Sequence, residues 1–408
     1  MRILVLLLLP LLTTARTIIV GPVGNTRTVK QALEQAAPGD TIRVKPGLYR
    51  ERNLLVTKPL VILGERFPVF DAERKGEIFT VKSNDATIRG LELRNTGSTS
   101  LIDWAAVKVL EARRVTVTGN RIRGAYFGVY LSASDACRVE ANDIAGTPGE
   151  EQTTGNGVHA WKCDRILVRN NRVSGHRDGI YFEFVTNSTI RKNLSRRNIR
   201  YGLHFMFSHQ NGYFQNTFRE NGAGVAVMYT KRVTMQGNVF EENWGSSAYG
   251  LLLKDISDSR IDHNVFRKNT VGIHMEGSSR IAVSQNRFRE NGWGVRVQAS
   301  CMDNAFTRNA FEGNTFDVAT NGQTVLNTFD QNYWDKYEGY DLNRDGQGDV
   351  PYHPVSLFSM ILEQMPHGVV LLRSFMVSLL DRAEKVIPSL TPEALVDPRP
   401  RMKAEGEK

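Results

Sequence analysis

Residues Gly175 to Lys231 read GHRDGIYFEFVTNSTIRKNLSRRNIRYGLHFMFSHQNGYFQNTFRENGAGVAVMYTK and hold one pattern three times. Gly179-Ile-Tyr-Phe-Glu-Phe is followed by Gly202-Leu-His-Phe-Met-Phe and then Gly224-Val-Ala-Val-Met-Tyr, each leading into an Asn-centred segment. One structural unit stacked on itself is the simplest source of such a pattern. Carried both ways, the register finds Asn at 120, 142, 171, 193, 216, 238, 264, 286, 309 and 332, mostly 22 or 23 residues apart.

Three residues before each Asn stands an apolar side chain, from Val117 and Val139 to Phe306 and Phe329. Two residues after it comes Ile122, Ile144, Val173, Ser195, Phe218, Phe240, Phe266, Phe288, Phe311 or Trp334. Short alternating apolar segments between turn residues are strands. A period of about 22 is too short for helix-pair repeats and suits one turn of a right-handed parallel β-helix, an all-β solenoid. Equivalent residues then form rows along the axis at about 4.8 Å. An inward Asn in such a row bonds the turns above and below it. A second row, Asn198, Asn221, Asn243, Asn269, Asn291 and Asn314, follows the first by five residues.

Residues 1–15 have the form of a secretory signal peptide, with Arg2, an apolar run and small residues at Thr13-Thr14-Ala15. The β-helix is expected over 16–354, entered through an amphipathic capping helix over Val29–Ala37 that ends at Pro38-Gly39. Two intervals are long, near Gly146–Thr153 and near Trp244–Tyr249, and insertions in a solenoid emerge as loops. Cys137, Cys163 and Cys301 are too few for a disulfide framework in an exported protein and read as small buried hydrophobes. The net charge of +9 comes without an aromatic-basic nucleic-acid motif, so no nucleic-acid partner is expected.

In the Gly-initiated strand the first and third following residues are apolar and point inward, so the second and fourth point out. The outward second row includes His159, Tyr181, His204 and His274; the fourth includes Trp161, Glu183, Met206, Met228 and Glu276. Met206 and Met228 should lie one strand spacing apart, with His204 two residues along the same face. Thioether with imidazole is a soft ligand set that suits Cu(I), and His204, Met206, Met228 and His274 are the candidate copper ligands. The other reading of this face is partner docking, with His159, Trp161, Tyr181, Glu183 and Glu276 as contacts. Sugar chemistry on a β-helix would need a base and a cation, for which His176, Arg177, Asp178 and Glu183 are the nearest residues.

After the last turn, Asp341, Asn343, Asp345, Gly346 and Asp349 follow the spacing of a calcium loop, although Tyr352 stands where the bidentate Glu belongs. Residues 355–408 change character, reading as two apolar helices broken at Pro366 and then an extended tail. Each half is shorter than a membrane span, so Leu357, Phe358, Ile361, Leu362, Val370, Leu371 and Phe375 are expected to dock on a membrane partner.

With the motifs GHRDGIYFEFV, RYGLHFMFS, GAGVAVMYTK and NYWDKYEGYD in place, the chain resembles the NosD family of nitrous-oxide-reductase maturation proteins. The resemblance implies a periplasmic, non-enzymatic component of an ABC-type complex, held at the inner membrane through a permease and served by a cytoplasmic ATPase. It also implies a copper-donating lipoprotein as partner and nitrous oxide reductase as client, while Cu(I) held transiently is expected on the Met and His register alone and Ca2+ at the loop on spacing alone. No nucleotide-binding loop is present, so ATP hydrolysis falls to the partner.

Overall fold

The computed structural model describes residues 15–21, 26–99, 102–147, 149–245, 248–322, 326–364 and 395–404. Residues 1–14 of the expected signal peptide, and Val370, Leu371 and Phe375, lie outside the described residues.

The chain coils into a right-handed parallel β-solenoid of about thirteen tiers. Three sheets of 14, 12 and 13 parallel strands run its length among the described residues. The apolar residue three before each Asn pairs with its equivalent in the next tier, as Val117↔Val139, Ile190↔Tyr213 and Phe306↔Phe329 do. The residue two after each Asn forms another row, in which Phe240, Phe266, Phe288 and Phe311 stack face to face at 4.6, 4.9 and 4.7 Å. These rings are fully buried, and each stacked pair adds about 0.5–1.5 kcal/mol beyond its burial.

The Asn row has a direction. Both the backbone N–H and the Nδ2 of Asn142 donate to Oδ1 of Asn171 at 3.0 Å, while Nδ2 also reaches the Val117 carbonyl at 2.9 Å. Tier after tier the donors point toward the C-terminal end, down to Asn309 on Asn332. At the first tier the Asn120 Oδ1 accepts from the Leu91 N–H. At or near the start of eight successive strands of the twelve-stranded sheet a glycine lies against the next tier: a Cβ on Gly224 would sit 2.3 Å from the Gly250 carbonyl oxygen.

The entrance helix spans Val29–Gln35, capped by the Thr28 hydroxyl, with Val29 and Ala32 closing the core. At the other end Val355 is buried and forms an isolated parallel bridge to Val318. The helix Leu357–Gln364 turns Phe358 and Leu362 onto Phe316 and Trp293 of its own chain; these two are core rather than docking surface, and Ile361 stays exposed. Residues 395–404 are tied to the last tier. The buried Asp397 carboxylate accepts from Gln331 N, Asn332 N, Asn332 Nδ2, Trp334 Nε1 and Arg399 N, and so terminates the Asn row. An acceptor with no hydrogen to donate is what that end requires.

Candidate functional site

The twelve-stranded sheet carries the unusual side chains. Strands Phe127–Ser132, Val158–Trp161, Ile180–Glu183, Tyr201–Met206, Ala223–Met228, Tyr249–Lys254 and Val271–Glu276 are successive neighbours in it. Leu203 and Phe205 point into the core, so His204 and Met206 face away from it.

Facing outward does not leave the second row open. Tyr130, His159, Tyr181 and His204 are in ring contact at 4.8, 4.8 and 4.9 Å, the first pair stacked, the second tilted and the third edge-on, and Tyr201 flanks His204 at 4.9 Å. His204 is 3% exposed and His274 is 9% exposed, which corrects the expectation of an open histidine face. The aromatic rings span the tier spacing and close over one another, so the second row forms a floor. The fourth row, with Trp161, Glu183, Met206, Met228 and Glu276, is half-buried or exposed above it.

Met206 and Met228 are paired in register as expected. The Tyr181 hydroxyl donates to Met206 Sδ at 3.5 Å. His204 joins them from the strand of Met206, and its buried Nε2 has no hydrogen-bond partner. His274 does not: Ala226 and Leu252 stand between, three tiers or roughly 14 Å away. It lies instead beside Tyr249, at 5.0 Å between rings. Among the described residues no group of three or more His, Cys, Asp or Glu could hold a metal ion. A soft-ion site here would therefore rest on the thioethers and one imidazole.

Beneath His204 lies a charged cluster only half visible in the sequence. Asp178 is fully buried, with Oδ1 accepting from Tyr201 N at 3.2 Å and Oδ2 lying 3.5 Å from His204 Nδ1. Arg200 donates from Nη2 to His204 Nδ1 at 3.1 Å and to Asp178 Oδ2 at 3.4 Å, and from Nη1 to Glu151 at 3.2 Å. Glu151 opens the one-turn helix Glu151–Thr153 in the longer of the two insertions and also sits 3.8 Å from Arg177. Sequence reading missed Arg200; its signal was position, since it occupies the tier equivalent of Arg177, two residues before a strand-opening Gly. His176 is not on this face. It is fully buried, its imidazole has no hydrogen-bond partner, and burial pushes it down to about 4. Burial likewise holds His159 down to about 3 and His274 down to about 4, so both rings are neutral at pH 7. The buried cysteines remain thiols, Cys163 pushed up to about 12 and Cys137 to about 11 by desolvation.

Beside the methionines runs a second feature missed in sequence. Phe184, Phe207 and Tyr229 stack at 5.2 and 5.1 Å while remaining 45%, 38% and 39% exposed. Each adopts a left-handed φ of 49° to 54°, which is unfavourable for a bulky side chain.

In the C-terminal loop the oxygens turn onto the loop's own N–H groups. Asp341 Oδ2 accepts from Gly346 N at 2.8 Å, Asn343 Oδ1 from Asp345 N at 2.9 Å, Asp345 Oδ1 from Gln347 N at 2.8 Å and Asp349 Oδ2 from Leu342 N at 2.7 Å.

Fold and site together define a parallel β-helix presenting a thioether and imidazole row beside a display of aromatic rings. A family model described as "Periplasmic copper-binding protein (NosD)" matches residues 146–339. The chain is 30% identical over 367 residues to the "Probable ABC transporter binding protein NosD" of Pseudomonas aeruginosa, covering 86% of each chain. It is 29% identical over 386 residues to the protein of that description from Stutzerimonas stutzeri, covering 90% of this chain and 87% of that one. The protein belongs to the NosD family. Among solved structures it is similar to the mannuronan C-5 epimerase AlgE4 A-module of Azotobacter vinelandii, with a TM-score of 0.51 at 14% identity over 74% of this chain and 87% of that one, a likeness of fold alone.

Proposed function

We propose that this chain is a periplasmic, non-enzymatic accessory of an ABC-type transporter complex and that it handles Cu(I) during assembly of the copper centre of nitrous oxide reductase. The observation that carries the reading is the pairing of half-buried Met206 with Met228, two residues along the face from a buried, unpartnered His204 Nε2, a thioether and imidazole set that suits Cu(I). Copper is the cargo, received from a copper-donating lipoprotein and passed to the reductase as client. The fourth row, with Trp161, Glu183 and Glu276, and the aromatic stack beside it supply the docking surface, and His159 and Tyr181 support it from below. His274 acts outside the His204 site.

The membrane permease, with its cytoplasmic ATPase, is engaged through the segment between Ile361 and Leu395. Among the described residues no helix is long and apolar enough to cross a membrane. Replacing residues 365–394 with a Gly/Ser linker keeps the Asp397 cap and should abolish co-sedimentation with the permease. We infer Ca2+ at Asp341, Asn343, Asp345 and Asp349 from their spacing; binding requires the loop to re-aim oxygens that now accept from its own N–H groups, and the effect of millimolar calcium on Tm tests it.

A Cu(I) competition titration on the reduced protein tests the reading. One tight site in the wild type, lost in Met206→Leu/Met228→Leu, supports it; equal affinity in both proteins overturns it. Binding or processing of an acidic polysaccharide is the second reading. It is disfavoured because Arg177 and Arg200 are already held by Glu151 and Asp178, which leaves little free cation for a carboxylate.

A further inference from the structure

The contacts of one ring decide what His204 can offer. A guanidinium can only donate, so the 3.1 Å contact from Arg200 Nη2 makes His204 Nδ1 an acceptor. A neutral imidazole that accepts at Nδ1 carries its proton on Nε2, and an N–H cannot bind a metal. The described geometry is therefore a closed one. The alternative partner is already in place, because Asp178 Oδ2 lies 3.5 Å from the same Nδ1 and needs to approach by only about 0.6 Å to accept a normal hydrogen bond. In that state Nδ1 carries the proton and the buried Nε2 lone pair is free, on the strand that bears Met206.

We propose that Asp178 and Arg200 are positioning residues that compete for His204 Nδ1, Asp178 readying Nε2 as a metal ligand and Arg200 blocking it, with Glu151 on the inserted loop setting the place of Arg200. This rests on the copper reading above. The exchange moves one ring proton from Nε2 to Nδ1 through solvent and leaves the charge of the site unchanged. Glu151 suits the part: it is exposed, it sits on an insertion outside the regular tiers, and it grips Arg200 Nη1 at 3.2 Å. Whatever docks on that loop and engages Glu151 shifts the cation that holds the ring closed. Second partners of metal-bound imidazoles commonly change affinity by about 10–100-fold when removed, which sets the expected scale.

Two substitutions drive the ring in opposite directions. Arg200→Met removes the donor and leaves Asp178 as sole partner; Asp178→Asn keeps the shape but offers an amide that can itself donate to Nδ1. The full-length protein with 15N-labelled histidine, its His204 signals assigned with His204→Gln, reports the tautomer directly at neutral pH without metal. The expected result is Nε2–H in the wild type and in Asp178→Asn, and Nδ1–H in Arg200→Met. Cu(I) competition should then show about 10-fold tighter binding in Arg200→Met and about 10–100-fold weaker binding in Asp178→Asn. An unchanged tautomer in Arg200→Met overturns this inference whatever copper does. A changed tautomer with unchanged Cu(I) affinity upholds the competition and overturns His204 as a copper ligand.

Discussion

Removing the Asp397 carboxylate should open the C-terminal end of the solenoid. Its two oxygens take five N–H groups, and three of these, Asn332 N, Asn332 Nδ2 and Trp334 Nε1, belong to residues at most 1% exposed. Each buried donor left unmet costs about 1–3 kcal/mol. Water can enter at a terminal tier, so Asp397→Ala should cost about 3–5 kcal/mol in all. Asp397→Asn should cost less, about 1–2 kcal/mol, because its amide oxygen can replace Oδ2 opposite Asn332 and Trp334, leaving its NH2 against Gln331 N and Arg399 N. Repeat solenoids open tier by tier from their ends, so the loss is local, and amide exchange reads it better than a global melting curve. At about 1.4 kcal/mol per tenfold, exchange at Asn332 N and the Trp334 indole should quicken by roughly two to three and a half orders of magnitude in Asp397→Ala. Acceleration below tenfold in both variants, with residues 395–404 still protected, would refute the view of Asp397 as the terminator of the row.

His176 should give the protein an acid sensitivity. The unfolded ring takes a proton near 6.5 and the buried one only near 4, so the unfolded state binds more protons in that window. The contribution is whole above pH 6.5 and is lost as pH falls toward 4, on the order of 3 kcal/mol; His176→Asn should flatten the slope between those values in urea titrations. Phe266→Ala removes the middle ring of a stack and should cost about 3–5 kcal/mol, read as faster exchange in the tiers of Phe240 and Phe288. Phe207→Asn, at a left-handed position where Asn is at ease, should leave stability within about 1 kcal/mol by urea unfolding; a larger loss would make the exposed stack structural. Calcium at a few millimolar should raise Tm in the wild type and not in Asp345→Ala.

The sequence made the tiers legible because a parallel coil repeats its environment every turn, so Asn120 to Asn332 and Phe218 to Phe311 recur at a readable period. The third corner escaped notice because its two rows mix chemistries that fill one role: in one, Ser208 N bonds the Thr230 hydroxyl and Ile256 N the Ser278 hydroxyl; in the other, three residues along, Val233 N bonds the Ser259 hydroxyl and Ile281 N the Asn304 amide. Met206 and Met228 were placed correctly by register alone. The burial of His204 was not, because the groups that cover it, Tyr181, Tyr201 and Arg200, come from two tiers and three positions in the repeat. The Asp397 cap was invisible for a simpler reason: 65 residues separate it from the Asn332 side chain it completes, and no local pattern encodes a pairing so distant.

The direction of the Asn row also bears on how such a molecule can change its length over generations. Every interior tier presents a donor-and-acceptor pair to one neighbour and its complement to the other, while the Leu91 N–H and the Asp397 carboxylate serve only the extremes. A duplicated or deleted turn between them meets the same partners on both sides and needs no new terminus. The number of tiers, and with it the spacing between groups carried on the face, is thus open to drift by whole units, whereas half a unit would break the row.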